Sequence, residues 1–296
     1  MASCTGQQIS ISASVAKQQA SLIISEAKLK TPPVVAEALR QLEASWQRPD
    51  GDELVDVLSK ARCAREFSCG FYYRWTWPRG EPVAVIERWL AARKAWHKEL
   101  REKLKTGAAH MDSPLLLTQA AIRWQKGYVY IERDHEDNEL GRREIPPRST
   151  RGPRPVWDSK HWPEWEAVRG TAQPETEAVW LSDFFIEECI DWLAEKPGLL
   201  WYEFNAVASR LLSLARDRAL GLTHGGPGEE GTKVVLGLTG KERVVASISA
   251  HGTGRNLQPF SRNFVANPPS SGAKWEQLLG RTHRQGQEAE DRKSVV

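Results

Sequence analysis

The sequence predicts an α/β chain in which a parallel sheet with flanking helices follows a mostly helical, tryptophan-rich region. Three observations predict it. From residue 176 onward, short apolar runs alternate with amphipathic segments, the pattern of buried parallel strands joined by helices. Before that point, apolar residues recur mainly at helical spacing. Finally, twelve of the 13 tryptophans lie between Trp46 and Trp201, and Trp275 stands alone beyond them.

The first half reads as helices joined by irregular segments. After Pro32-Pro33, the residues Val35, Leu39, Leu42 and Trp46 fall on one face of a helix. A turn at Pro49-Asp50-Gly51 separates it from a second helical run over 53–68. The aromatic stretch Gly70-Phe71-Tyr72-Tyr73-Arg74-Trp75-Thr76-Trp77-Pro78 breaks the period. A long amphipathic helix is predicted over 82–104, with Ile86, Trp89, Leu90, Trp96 and Leu100 inward. The Asp112-Ser113-Pro114 cluster is expected to start another helix through Trp124. Over 141–155, Arg142, Arg143, Arg148, Arg151 and Arg154 alternate with Pro146, Pro147, Pro153 and Pro155. Prolines exclude a regular helix there, which predicts an extended linker: a solvated connector, or a loop that touches phosphates.

The second half alternates. A helix is predicted over 176–196, with Trp180, Phe184 and Trp192 inward, ending at Pro197-Gly198. Then come a strand at 199–202, a helix over 205–218, a strand at 220–223 and the clearest buried strand, 243–249. A strand at 264–266 and a helix over 274–282 complete it. The organisation predicted is a helical linking region at 1–140, an Arg/Pro-rich linker at 141–175 and a sheet-bearing lobe at 176–290. Residues 291–296, Asp291-Arg292-Lys293-Ser294-Val295-Val296, look like the in-frame translation of a sequencing adapter and are set aside as an artefactual tail.

Composition narrows the function classes. With 296 residues, 40% hydrophobic and 27% charged, the chain is ordinary globular and long enough to bury a core without disulfides or metal. No apolar run approaches the roughly 18 residues of a membrane span, and the first residues lack a secretory signal, so a cytoplasmic protein is expected. Cys4, Cys63, Cys69 and Cys189 form no CxxC pair and are expected as buried small hydrophobes. The net charge is +3, and residues 179–296 hold 14 basic and 14 acidic residues, so no global basic field announces a nucleic acid.

Two runs carry chemistry. Ser249-Ala250-His251-Gly252-Thr253-Gly254-Arg255-Asn256-Leu257-Gln258 follows the best strand, and a glycine-rich turn there lets backbone N–H groups approach a phosphate. In Gln277-Leu278-Leu279-Gly280-Arg281-Thr282-His283-Arg284-Gln285-Gly286-Gln287, Arg281 and Arg284 are three apart and would share a helical face. Two guanidiniums so placed can hold a polyphosphate or stabilise the charge of a phosphoryl-transfer transition state.

Residues 277–284 fit the pattern Q-x-x-G-R-x-x-R, extended to Gln287 as R-x-H-R-x-G-Q. This resembles motif VI of superfamily-two helicases, Swi/Snf-type translocases in particular. Residues 249–258 look like the motif V that precedes it, and 199–203 with the following helix resembles motif IV. The resemblance covers about 179–287 and implies the C-terminal RecA-like lobe of such an enzyme. The aromatic stretch and tryptophan-rich helices look, more weakly, like the segment joining the lobes in phage-type and bacterial DEAD/DEAH-like relatives.

The resemblance implies ATP bound between two lobes and nucleic acid, DNA or RNA with DNA favoured, across both. Arg284 would be the arginine finger, Arg281 its partner, and Gln277 would help position the nucleotide or the attacking water. Gly252, Gly254, Asn256 and Gln287 would serve the nucleotide site; Thr253, His251, Glu203 and His224 would face the nucleic acid. Yet the sequence has no G-x-x-x-x-G-K-[ST] run: at Gly240-Lys241 the first glycine position is Val235 and the next residue Glu242. No apolar strand ends in an Asp-Glu pair for Mg²⁺. The ATP-binding first lobe, with its Mg²⁺, is therefore expected to be missing from this chain. The competing expectation is a non-catalytic module, derived from a helicase lobe, that binds nucleic acid or protein.

Overall fold

A computed structural model describes residues 21–107, 111–252, 257–269, 271–280, 282 and 291–295. Strand β1 (Ser21–Ser25) and helices α1 (Pro33–Ser45) and α2 (Val57–Ser68) lead into β2 (Phe71–Thr76), the long α3 (Val83–Lys105) and α4 (Pro114–Lys126). Strands β3 (Tyr128–Arg133) and β4 (Glu139–Ile145) form a hairpin, followed by α5 (Trp162–Val168) and β5 (Glu175–Trp180). Next come α6 (Phe184–Glu195), β6 (Gly198–Tyr202), α7 (Asn205–Asp217), β7 (Thr223–Gly225) and α8 (Glu229–Leu236). The last elements are β8 (Arg243–Ser247), α9 (Ile248–His251), β9 (Arg262–Val265), α10 (Gly272–Leu279) and β10 (Asp291–Val295). Two compact units result: one gathers the described residues of Met1–Val35, Ser68–Phe71 and Trp180–Val296, the other Ala36–Phe67 and Tyr72–Val179.

The first unit is built on a parallel sheet of order β1-β10-β9-β6-β8-β7. Strands β9, β6, β8 and β7, flanked by helices, form its broadly RecA-like part. Every residue of β6 is buried, as its unbroken apolar run requires of a strand covered on both faces. Leu199 and Trp201 pack with Val244, Ala246, Val265 and Leu278 on one face. On the other, Phe264 meets Phe185 and Trp192 of α6 at ring distances of 6.3 and 5.4 Å. The orphan carbonyls at the end of α6 are taken up by arginines from two strands. Arg243 donates to the Leu193 oxygen (2.6 Å), and Arg262 to those of Trp192 and Lys196 (2.6 and 2.9 Å).

In the second unit the tryptophans pack on one another. Trp96 of α3 lies 5.3 Å from Trp157 and 5.2 Å from Trp162, inside a cluster with Leu100, Leu117 and Ala121. Trp89 meets Trp75 and Trp165 edge-on at 5.7 and 5.1 Å. The Glu99 carboxylate of α3 accepts from the Ser159 hydroxyl and from the N–H groups of Lys160 and His161, satisfying donors where α5 begins.

The structure corrects several expectations. The helix expected from 176 starts at Phe184, because the alternating run Glu175–Trp180 is a strand paired with β2. The stretch predicted as an extended linker begins inside a hairpin: β4 pairs with β3 up to Ile145, and the prolines begin only after it. Asp134 closes that hairpin by accepting N–H groups of Glu136 and Asn138. The region before the sheet is therefore mixed, with two two-stranded sheets among its helices. The strand expected at 220–223 forms at Thr223–Gly225, and the last helix spans Gly272–Leu279 rather than 274–282. Asp291–Val295, set aside in the sequence reading, pairs along its backbone with β9 and β1. Among the described residues no helix is long and apolar enough to cross a membrane.

Gly70 offers a local test. Its φ is +90°, its carbonyl accepts N–H groups from Leu181 (2.8 Å) and Ser182 (3.2 Å), and a Cβ would be driven into the Ser182 carbonyl. Gly70→Ala is expected to lower unfolding stability in urea by about 1–3 kcal/mol. An unchanged midpoint would show that this crossing is not strained.

Candidate functional site

Because the sheet is parallel, the carboxyl ends of β6, β7 and β8 lie along one edge, where ligands of such sheets collect. At this edge the Tyr202 hydroxyl and His224 Nε2 are 3.0 Å apart, and the Ser247 and Ser249 hydroxyls 2.9 Å apart. Burial raises the Tyr202 phenol above its usual value, and a hydrogen bond from Ser247 partly offsets it. Partial enclosure of its ring first, then the neighbouring His251, holds the His224 imidazole below its ordinary value, although the residue as a whole is exposed.

The sequence-derived residues divide sharply. Glu203 follows β6, is exposed, and donates its backbone N–H to Asn267 Oδ1 at 3.4 Å. His224 is likewise exposed. His251 is 0% exposed, and its Nε2 lies 3.0 Å from the Gly226 carbonyl. A side chain with no exposed surface acts on a nucleic acid only through the loop it holds. Gly252 closes α9, its N–H donating to Ile248 (2.8 Å), and a Cβ there would collide with the Ile248 carbonyl. Gln277 sits exposed on α10, which ends at Gly280 with its N–H donated to Glu276 (2.8 Å). Thr253, Gly254, Asn256, Arg281, Arg284 and Gln287 lie outside the described residues.

Sequence reasoning missed a set of buried polar residues behind this edge. Trp201 Nε1 donates to Asn263 Oδ1 (3.4 Å), and Asn263 Nδ2 donates to the Thr282 hydroxyl (3.2 Å). Asn263 is 3% and Thr282 2% exposed, so central strand, neighbouring strand and the start of the arginine run are tied through a dry contact. Asn267, also 3% exposed, donates to the Cys69 sulfur at 3.1 Å. The only signal in the sequence was an asparagine inside or just after an apolar strand, a place where an unpaired amide would be costly. Among the described residues no group of three or more His, Cys, Asp or Glu side chains is placed to hold a metal ion.

No protein-family model matches the chain, and no curated protein matches it. Among solved structures it is weakly similar to the C-terminal part of the Fun30 ATPase domain. That match has 10% identity and a TM-score of 0.40, over 94% of this chain and 85% of that one. A likeness of that strength carries no argument about function.

Two outcomes check the geometry. Thr282→Val keeps the shape but strands the Asn263 amide, and is expected to cost about 1–3 kcal/mol in urea unfolding, with Thr282→Ser near wild type. For His224, the folded value is depressed below 6.5, so the unfolded chain binds more protons as pH falls through that value. Stability should therefore decline as pH drops below about 6.5, and His224→Asn should flatten that decline.

Proposed function

We propose that this chain supplies the second lobe of an ATP-dependent helicase or translocase acting on nucleic acid, with DNA the favoured substrate. The observation that carries the reading is the run 277–287, which continues from a helix seated on the sheet by Leu278 and from Thr282, fixed by Asn263. The likeness of 199–203, which is β6 and the residue after it, and of 249–258, which follows β8, to motifs IV and V supports it.

In this reading Arg284 stabilises charge on the transferred phosphoryl group, Arg281 assists, and Gln277 orients the nucleotide or water. Gly252, Gly254, Asn256 and Gln287 shape the nucleotide side. Thr253, Glu203 and His224 face the strand, and His251 acts through the Gly226 loop. The chain's sequence has no P-loop, and the described residues offer no acidic cluster for Mg²⁺. Tight binding of ATP and Mg²⁺ is therefore assigned to a partner lobe, while this lobe contributes the arginines.

The missing P-loop also favours a second reading, a lobe that binds nucleic acid without hydrolysis. The test is nucleic-acid-stimulated ATP hydrolysis by the protein that joins this lobe to a P-loop lobe. Arg284→Ala should lower kcat by about a thousandfold or more, with folding unchanged. Near-normal turnover would overturn the assigned role, and salt-dependent strand binding without any ATP hydrolysis would select the second reading.

A further inference from the structure

The helical unit contains a cleft of about 240 Å³, lined among others by Arg48, Arg62, Glu66, Arg93, Trp75 and His97. Nothing in the reading above uses it. Its basic groups are held rather than loose. Arg93 donates to Asp52 (2.6 Å) with its guanidinium over the Trp75 ring at 5.2 Å, and Arg48 donates to the Tyr73 carbonyl (2.5 Å) while facing Asp52 at 3.6 Å. Arg62 pairs with Glu66 at 3.2 Å. Glu66 is only 4% exposed, and burial raises its carboxyl above the usual range, which weakens the anionic side of the balance.

Three buried polar atoms of the lining residues have no hydrogen-bond partner among the described residues: Arg48 Nε, Trp75 Nε1 and His97 Nδ1. Two are obligatory donors, and one of those is on a cation. Burial first, then Arg93, lowers His97 to about 3, so its ring is neutral at physiological pH and presents one acceptor nitrogen. A fixed guanidinium with one spare donor, next to an unpaired indole N–H, suits a ligand rich in acceptor oxygens carrying negative charge. The cleft exceeds one ion in size, and Leu54, Val55 and the Trp75 ring supply apolar wall for an organic remainder.

We propose that this cleft binds a phosphate monoester carrying a flat organic group, of the size of one nucleotide. The phosphate accepts from Arg48 Nε and Trp75 Nε1, and His97 Nδ1 meets a hydroxyl of the ligand. The same chemistry is offered by a free nucleoside monophosphate and by the 5′-phosphorylated end of a strand.

Calorimetric titration of the full chain tests it with adenosine 5′-monophosphate, adenosine, and short DNA oligonucleotides bearing a 5′-phosphate or a 5′-hydroxyl. The monophosphate is expected to bind at least about tenfold more tightly than adenosine, the scale of one hydrogen bond to a charged group. Preference for the 5′-phosphorylated oligonucleotide over its hydroxyl counterpart would assign strand ends; equal weak binding of both would assign the free nucleotide. The decisive variant is Trp75→Phe. It keeps an aromatic ring beside Trp89 and Arg93 but removes the unpaired N–H together with one fused ring, so affinity for the monophosphate should fall about tenfold while thermal denaturation stays cooperative. Arg48→Gln should weaken binding further. Adenosine binding as well as its monophosphate, no binding of either phosphate ligand, or unchanged affinity in Trp75→Phe would overturn the proposal. None of these readouts depends on ATP hydrolysis, so the site stands or falls separately from the helicase reading.

Discussion

The sheet unit depends on one buried polar contact. Trp201 is in the most enclosed strand, where a polar indole nitrogen would be a liability without a partner; Asn263 on the adjacent strand provides it. The asparagine's own amide then needs an acceptor, and Thr282 supplies one from beyond α10. Each link satisfies the previous residue's unmet bond, so the register of β6 on β9 and the position of Thr282 beyond α10 are set together. A one-residue slip of β9 would turn Asn263 to the other face of the sheet, away from both partners. Specificity of this kind comes from the cost of the alternatives more than from the strength of two long hydrogen bonds.

The same logic explains how much of the fold was legible in the sequence. Strand 199–202, and the strand expected at 243–249 as far as Ser247, where α9 takes over, were readable because a strand buried on both faces must be continuously apolar, and few other states tolerate such a run. Helices α3, α4 and α7 were readable from amphipathic period, although Leu90 of α3, expected inward, is exposed; of the cluster that starts α4 it is Ser113 whose hydroxyl accepts the Leu116 N–H at 3.3 Å. Segments with mixed signals were misassigned. Thr176 to Trp180 has inward residues compatible with both periods, and only the aromatic strand β2 as a pairing partner decides for a strand. In 139–145 the arginines drew attention to charge and hid the fact that the segment pairs antiparallel with 128–133, with a register shift between Glu132 and Arg133.

The candidate site was legible in a different way. Motif runs identify which residue types are brought to a sheet edge, but not which of them face outward. His251 and His224 look equivalent in sequence, each immediately before a glycine; the structure buries the first against Gly226 and leaves the second exposed beside Tyr202. The difference follows from where the strands end. β7 stops at Gly225, so His224 is still on the strand, whereas β8 gives way to α9, which rolls His251 under the edge. Thr282 was passed over for the opposite reason, since a small hydroxyl between two arginines gives no sign that it is the anchored residue.

The tryptophan surplus has two explanations, and the indole nitrogen separates them. Packing accounts for the rings: Trp89, Trp96 and Trp162 fill the space between α3, α4 and α5 at contact distances typical of aromatic pairs. It does not account for a choice of tryptophan over phenylalanine where the N–H goes unpaired, because a buried donor without an acceptor is a net cost. Trp162 accepts that cost inside the core, where its larger ring also meets the Arg169 guanidinium at 5.2 Å. Trp75 likewise uses its ring, which meets Trp89 edge-on at 5.7 Å and lies under the Arg93 guanidinium at 5.2 Å. It is half-buried, it borders open space, and its unpaired N–H belongs to the same wall as an unpaired arginine nitrogen. Two unspent donors in a fixed basic wall are what a core would remove and a binding surface would keep.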